Sequence, residues 1–177
     1  MDKPARQVAG LELAGQRIVL RDFSVENITP TYIGWLNNND LMRYSNQRFR
    51  SHSIETCMDY LNSFRCTDNL FLAIYSGTDF IGTMTAYISW VHKTADIGLL
   101  IGGQSQGLGF GRDSWVTLME YLIELGLRKV TGGALRCNSA MIKIMINSGM
   151  LPDGVRVAQE LVNEQEEDIL YFAKFGV

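Results

Sequence analysis

The segment Gln106-Gly107-Leu108-Gly109-Phe110-Gly111-Arg112 sets three glycines at alternate positions. Glycine reaches positive φ without steric cost, so such a run can turn with several backbone N–H groups directed into one concavity. Downstream, Trp115, Leu118, Met119 and Leu122 recur at i, i+3, i+4 and i+7, the spacing of one helical face. A helix starting at the loop adds unpaired N–H groups and the positive end of its dipole, a setting suited to a phosphate or pyrophosphate. The same spacing describes a glycine-rich turn that joins a strand to a helix and binds nothing, and spacing alone leaves both readings open. Two familiar phosphate loops do not fit. Gly111 is followed by Arg112-Asp113 where a Walker loop has Lys-Ser/Thr. The G-x-G-x-G spacing departs from the dinucleotide fingerprint, and residues 127–131 carry no acid for a ribose.

A second stretch with chemical potential spans residues 41–53, which carry Arg43, Tyr44, Asn46, Gln47, Arg48, Phe49, Arg50 and His52. Surface loops are polar as a rule, so a solvated cover over the core explains it. Aromatics interleaved with cations would equally grip a polar or anionic acceptor. Cys57, Cys66 and Cys137 are odd in number and widely spaced, and the chain has two histidines, so neither a disulfide framework nor a zinc site is expected. A net charge of −3 offers no general attraction for nucleic acid or an anionic membrane. With no apolar run of membrane-spanning length and no signal-like N-terminus, a cytoplasmic protein with reduced thiols is expected.

The elements that must position these residues follow from periodicity and punctuation. The expected organisation is a single domain over residues 1–177, with roughly the first 14 residues frayed. Residues 17–21 alternate as a first strand, and Thr29-Pro30 opens a helix through Tyr32, Ile33, Trp35 and Leu36. The Asn37-Asn38-Asn39-Asp40 cluster stops that helix. Ser53 caps a helix with Met58, Leu61 and Phe64 on one face. Residues 70–75, 80–89 and 95–101 read as three antiparallel strands joined by turns at 76–79 and 90–93. Beyond the loop and its helix come a strand at 129–135, a helix at 139–148 stopped by Gly149, and a hairpin of 153–161 with 168–175 around an acidic, solvated turn. Strands first, then strand-helix-strand-helix, predict an α+β fold: a mixed, mostly antiparallel sheet of about six to seven strands flanked by about four helices.

The Q-x-x-G-x-G pattern in Gln106, Gly109 and Gly111 resembles the acyl-CoA-binding motif of the GNAT N-acetyltransferase superfamily. The likeness continues through Ala95-Asp96-Ile97-Gly98-Leu99-Leu100-Ile101-Gly102, Asn138 and Gly149-Met150, the last where the family usually has Gly-Phe. Leu20-Arg21-Asp22 and Trp35-Leu36-Asn37 resemble the opening of its RimJ/RimL-type, ribosomal-protein-acetyltransferase-like branch, so the likeness spans about residues 16–175. It implies a parallel strand pair that splays apart, with acetyl-CoA in the gap. Leu99, Leu100 and Ile101 would then offer backbone groups to the pantetheine arm. Gln106, Gly107, Leu108, Gly109, Phe110, Gly111 and Arg112 would hold the pyrophosphate, and Asn138 would contact the arm. Read alone, the three strand residues are ordinary core and Asn138 is a helix cap.

What the resemblance implies is direct transfer of an acetyl group to a primary amine, on a protein N-terminus or on a small molecule such as a nucleotide-linked amino sugar. A non-catalytic acyl-CoA-binding module is the alternative. The amine needs a base, for which Asp96 on the splayed strand is the first candidate, although an outward carboxylate paired with a cation would look the same. Many family members carry a tyrosine acid seven residues after the asparagine; here that position is Met145. Tyr87, His92, Ser139 and Ser148 are substitute proton carriers, and Cys137 reads as a small buried residue. Arg43, Arg48, Arg50, His52 and His92 are expected on the acceptor side. The expected partners are acetyl-CoA and an amine-bearing acceptor, without metal, nucleic acid or membrane, and with a homodimer as the form of any self-association.

Overall fold

The structure, a computed structural model, describes residues 10–176. The strands are β1 (Glu12–Ala14), β2 (Val19–Asp22), β3 (Leu70–Ser76), β4 (Asp79–Ser89), β5 (Thr94–Ile101), β6 (Lys129–Leu135), β7 (Leu151–Val162) and β8 (Gln165–Phe175). They form one mixed sheet in the order β1-β2-β3-β4-β5-β6-β8-β7, antiparallel throughout except for β5 with β6. Five helices accompany it: α1 (Pro30–Leu36), α2 (Asn39–Met42), α3 (Ile54–Ser63), α4 (Phe110–Glu124) and α5 (Ser139–Asn147).

Each face of the sheet carries its own core. On one, Ala95, Ile97 and Ile101 of β5 pack with Trp115, Leu118, Met119 and Leu122 of α4, the four residues whose spacing predicted the helix. Burying side chains of this size contributes roughly 1.5–3 kcal/mol each, so α4 is seated by its core and not by whatever its N-terminus binds. On the other face, Phe23, Tyr32, Leu36, Met42, Cys57, Phe64 and Phe71 form an aromatic-rich core under α1, α2 and α3. The helix starts follow the expected chemistry: Thr29 accepts from the Tyr32 N–H with Pro30 in the first turn, and Ser53 accepts from the Thr56 N–H.

Three expectations need correction. The sheet has eight strands, because residues 12–14 pair with β2 where fraying was expected; Leu11 and Leu13 pack on the core, and the Asp22 carboxylate accepts from the Gly10 and Leu11 N–H groups. A three-residue strand is too short to declare a period. The expected fraying of residues 1–9 lies outside the described residues. The polar stretch after α1, expected as a loop, carries regular turns: Asn38 caps α2 and a 3-10 turn spans Asn46–Phe49. Finally, the last turn is two residues long: Asn163 and Glu164 both take positive φ, the hairpin geometry that matches strand twist, and 165–167 belong to β8.

Candidate active site

The site is built where β5 and β6 part. They pair through Thr94↔Lys129, Ala95↔Val130 and Asp96↔Thr131 only; beyond that rung β5 stays with β4 and β6 with β8. The gap-facing backbone groups of β5 past Asp96 therefore have no partner strand. Trp115 holds the fork open from below: a Cβ on Gly132 would lie 2.6 Å from its ring and 3.5 Å from the Ile97 carbonyl oxygen. Its indole N–H points to the Met150 sulfur at 3.1 Å. The methionine at this position thus serves the wedge of the fork.

Above the fork stands the glycine loop, and its glycines answer different demands. Gly107 and Gly109 take positive φ, +76° and +87°, with Gly109 forming the N-cap of α4. Gly111 has no such backbone; a Cβ there would sit 3.1 Å from Ile144 Cδ1 and 3.3 Å from Leu99 Cδ2, so it permits the close approach of α4 to β5 and α5. The loop is braced from behind by residues that sequence reading missed. The Arg17 guanidinium donates to the Leu108 carbonyl at 2.8 Å and lies 4.6 Å from the Phe110 ring centroid. Asp113, in the first turn of α4, accepts from the Gln16 and Arg17 N–H groups at 2.9 and 2.7 Å. Contacts across 91 to 97 residues of chain leave no local signal.

Leu99, Leu100, Ile101, Gln106, Gly107, Gly109, Gly111, Arg112 and Asn138 all line one cavity of about 690 Å³. Leu108 and Phe110 do not: Leu108 faces solvent, and the Phe110 ring is buried in the core. Several members also have local duties. Gln106 Nε2 donates to the Ile101 carbonyl at 3.3 Å, Arg112 donates to the Asn147 carbonyl at the end of α5, and Asn138 Oδ1 accepts from the Met141 N–H as the α5 cap. Cap and cavity wall are the same asparagine, so the two readings of Asn138 coexist.

The cavity draws its walls from both faces of the sheet. Leu99, Gly111 and Ile144 belong to the α4–α5 side; Gly98, Leu100, Thr83, Thr85, Phe71 and Tyr60 belong to the α1–α3 side. It therefore passes through the fork into a second lobe roofed by residues 40–45 and Gln47. The charged residues lining it are Asp40, Arg43 and Arg112. Tyr32 and Tyr60 also line it, and burial pushes both phenols above their ordinary range, in the case of Tyr60 with help from the Tyr87 hydroxyl at 3.0 Å. Cys137 lines the cavity beside Asn138, and burial raises its thiol, with the Glu167 carboxylate adding to the effect.

Other expected site residues lie elsewhere. Asp96 does not line the cavity; it ends the last β5–β6 rung, opposite Tyr87 on β4, with Thr131 Oγ1 2.7 Å from its Oδ2. Desolvation raises its carboxyl although one edge stays exposed, and the Thr131 bond opposes that shift. Tyr87 reaches the cavity only through Tyr60. Ser148 closes α5 and donates to the Ile144 carbonyl, off the cavity. Met145 is 0 % exposed in the core, so the position of the missing tyrosine does not face the cavity at all. On the acceptor side only Arg43 lines the main cavity. Arg48 is drawn to the β7 edge, donating to the Leu161 carbonyl at 3.1 Å and pairing with Glu160 at 3.8 Å. His92 sits in the β4–β5 turn at the far end of β5, where its carbonyl accepts from Arg128. No His/Cys/Asp/Glu group suited to a metal ion occurs among the described residues.

A forked parallel pair, a glycine loop feeding a helix N-terminus and a cavity through the fork make a site for a long ligand with an anionic end and an amide-bearing arm. The sequence matches the Acetyltransferase (GNAT) domain model over residues 17–151, and the chain belongs to that family. It is an acetyl-CoA-using acetyltransferase. Among solved structures it is similar to RimL, a ribosomal L7/L12 α-N-protein acetyltransferase in complex with coenzyme A, at 16% identity, TM-score 0.83 and coverage of 93% of this chain and 98% of that one. A spermidine N-acetyltransferase from Vibrio cholerae in complex with CoA and spermine matches at 18% identity and TM-score 0.81, covering 90% and 96%. The microcin C7 self-immunity acetyltransferase MccE in complex with acetyl-CoA and AMP matches at 18% identity and TM-score 0.79, covering 90% and 93%. No curated protein matches the sequence.

Proposed function

We propose that the protein is an N-acetyltransferase that moves an acetyl group from acetyl-CoA directly to a primary amine, on a peptide N-terminus or a small molecule. The observation that carries this reading is the continuous cavity, which joins the glycine loop to a separate lobe through the β5–β6 fork. One lobe suits the nucleotide end of acetyl-CoA. Gln106 to Arg112 supply loop N–H groups, the positive end of α4 and one guanidinium for an anion. The unpaired backbone edge of β5 at residues 99–101 and Asn138 suit the amide-bearing arm. Bound there, acetyl-CoA supplies the activated acyl group, and the chain's own residues bring the amine to it.

The other lobe holds the acceptor. Its single carboxylate among the described residues, Asp40, is too little for a polycation, and Arg48 is withdrawn from it, which weakens the case for a nucleotide sugar. With Asp40 and Arg43 as its charged lining, the lobe favours a single amine, as on a peptide N-terminus or a small molecule, over a polyamine. Tyr60, kept neutral by burial and lining this lobe, is the first candidate to carry a proton, with Tyr87 behind it. Asp96 stands at the base of the fork, outside the cavity that receives the amine. The test is acetyl-CoA turnover with a panel of N-terminal peptides, polyamines and amino sugars, read by the mass gain of one acetyl group on the acceptor. Absence of turnover with every class, in a protein that binds CoA, would reduce it to an acyl-CoA-binding module.

A further inference from the structure

A smaller cavity of about 160 Å³ abuts the acceptor lobe and shares Tyr32, Leu36, Gln47 and Tyr60 with it. Its remaining walls are Arg50, Ser51, His52, Thr56 and Cys57. Two basic side chains line it and no acidic one does. Arg48, two residues before Arg50, is spent on the β7 edge, whereas no hydrogen bond, ion pair or ring contact engages the Arg50 guanidinium among the described residues.

The segment carrying these groups is fixed in place. Asn37, at the end of α1, clamps His52 from both sides of its backbone, donating to the carbonyl and accepting from the N–H, each at 2.9 Å. Ser53 then caps α3 immediately afterwards. The carboxylate next in sequence, Glu55, accepts from the Ser53 hydroxyl at 2.6 Å and does not line the cavity. At roughly 30 Å³ per water, the space would hold about five waters, enough for one carboxylate or phosphate with some of its hydration.

We propose that this side cavity is an anion subsite of the acceptor: the substrate carries, beside its amine, a carboxylate or phosphate that Arg50 and His52 receive. A guanidinium presents donors in a planar fork that matches either oxyanion; the His52 Nε2 lies 3.4 Å from the Gln47 carbonyl oxygen, so the imidazole adds a donor through its other ring nitrogen, in the imidazolium form. The inference rests on the acetyltransferase reading for the identity of the ligand, but the subsite itself can be tested without turnover.

The chain has two histidines, His52 in the subsite and His92 in a distant turn, so the second serves as an internal control. Acetate and inorganic phosphate are titrated separately into CoA-saturated protein at constant ionic strength and pH, and the ring signals of both histidines are followed by NMR. The expected result is a saturable shift of the His52 signals with at least one anion, no matching shift of His92, loss of the response in Arg50→Gln and its retention in Arg50→Lys. Acetate and phosphate responses tell the two oxyanions apart. In turnover, β-alanine or O-phosphoethanolamine should then show a lower KM than ethanolamine, and Arg50→Gln should erase that difference without moving the KM for acetyl-CoA. A His52 response no larger than that of His92 with both anions, or one unchanged in Arg50→Gln, overturns the subsite even if ethanolamine is acetylated. A full anion response in a protein that acetylates no amine would instead count against the transferase reading and leave the subsite standing.

Discussion

Replacing Gly109 tests whether the glycine loop holds an anion, provided that backbone strain and charge are separated. Gly109 sits at φ +87° as the N-cap of α4, and a Cβ there meets only Arg17 Nη1, at an ordinary 3.8 Å. Any L-residue therefore incurs a left-handed penalty of about 1–2 kcal/mol in stability, smaller for Asn and Asp, without a clash. Gly109→Asn and Gly109→Asp share that strain and nearly the same shape, so their difference is the charge. A carboxylate placed about 5 Å from one pyrophosphate charge costs about 0.8 kcal/mol in a water-like medium and about 3 kcal/mol at an effective dielectric near 20. That corresponds to a loss in CoA affinity of about fourfold to 150-fold. The new carboxylate also lies within reach of Arg17, which neutralises part of it and moves the expectation toward the lower end. Isothermal titration with CoA should show Asp weaker than Asn by that factor, with the gap closing as salt screens the exposed charges. Equal CoA affinity for the Asn and Asp variants, both folded, would refute an anion at this loop.

Met145→Tyr is expected to destabilise by about 1–3 kcal/mol and to leave the chemistry unassisted, because it forces a larger side chain and an unpartnered hydroxyl into a sealed core position; denaturant unfolding and single-turnover rates check both parts. For Asp96→Asn, burial raises the native carboxyl above its unfolded value of about 3.9, so the native state holds more protons in that window and stability falls as pH rises through it. The variant keeps an acceptor for the Thr131 hydroxyl and should match or exceed wild-type stability at pH 7, lose that advantage below about pH 4, and fall in rate only if the carboxylate is the base. Glu160→Ala removes the shared partner of Asn46 Nδ2, at 3.1 Å, and of Arg48. It should cost about 1 kcal/mol in stability while speeding amide exchange over residues 44–50, and should raise the acceptor KM without affecting CoA binding.

Much of this protein was legible without coordinates wherever the signal was local. Caps, turn residues and the spacing of Trp115, Leu118, Met119 and Leu122 placed the helices and most strand ends within a few residues, because hydrogen-bonding and period constraints act over a single turn or hairpin. The motif around Gln106, Gly109 and Gly111 pointed to the family by resemblance, and the family is shown. Three kinds of fact had to wait for the tertiary structure. Which way a side chain faces from a helix depends on what the helix packs against, so Ser148 looked available for chemistry and proves to be a cap, and the Met145 position, where the family carries its tyrosine, proves to be core. Which cations in a polar run are free depends on distant partners: Glu160, more than a hundred residues on, takes Arg48 and leaves Arg50 unengaged. And the fork exists only because β5 and β6 choose different neighbours after three paired residues, a choice made between strands and held by Trp115 against Gly132. Local chemistry determined the parts; long-range packing decided which of them share a cavity.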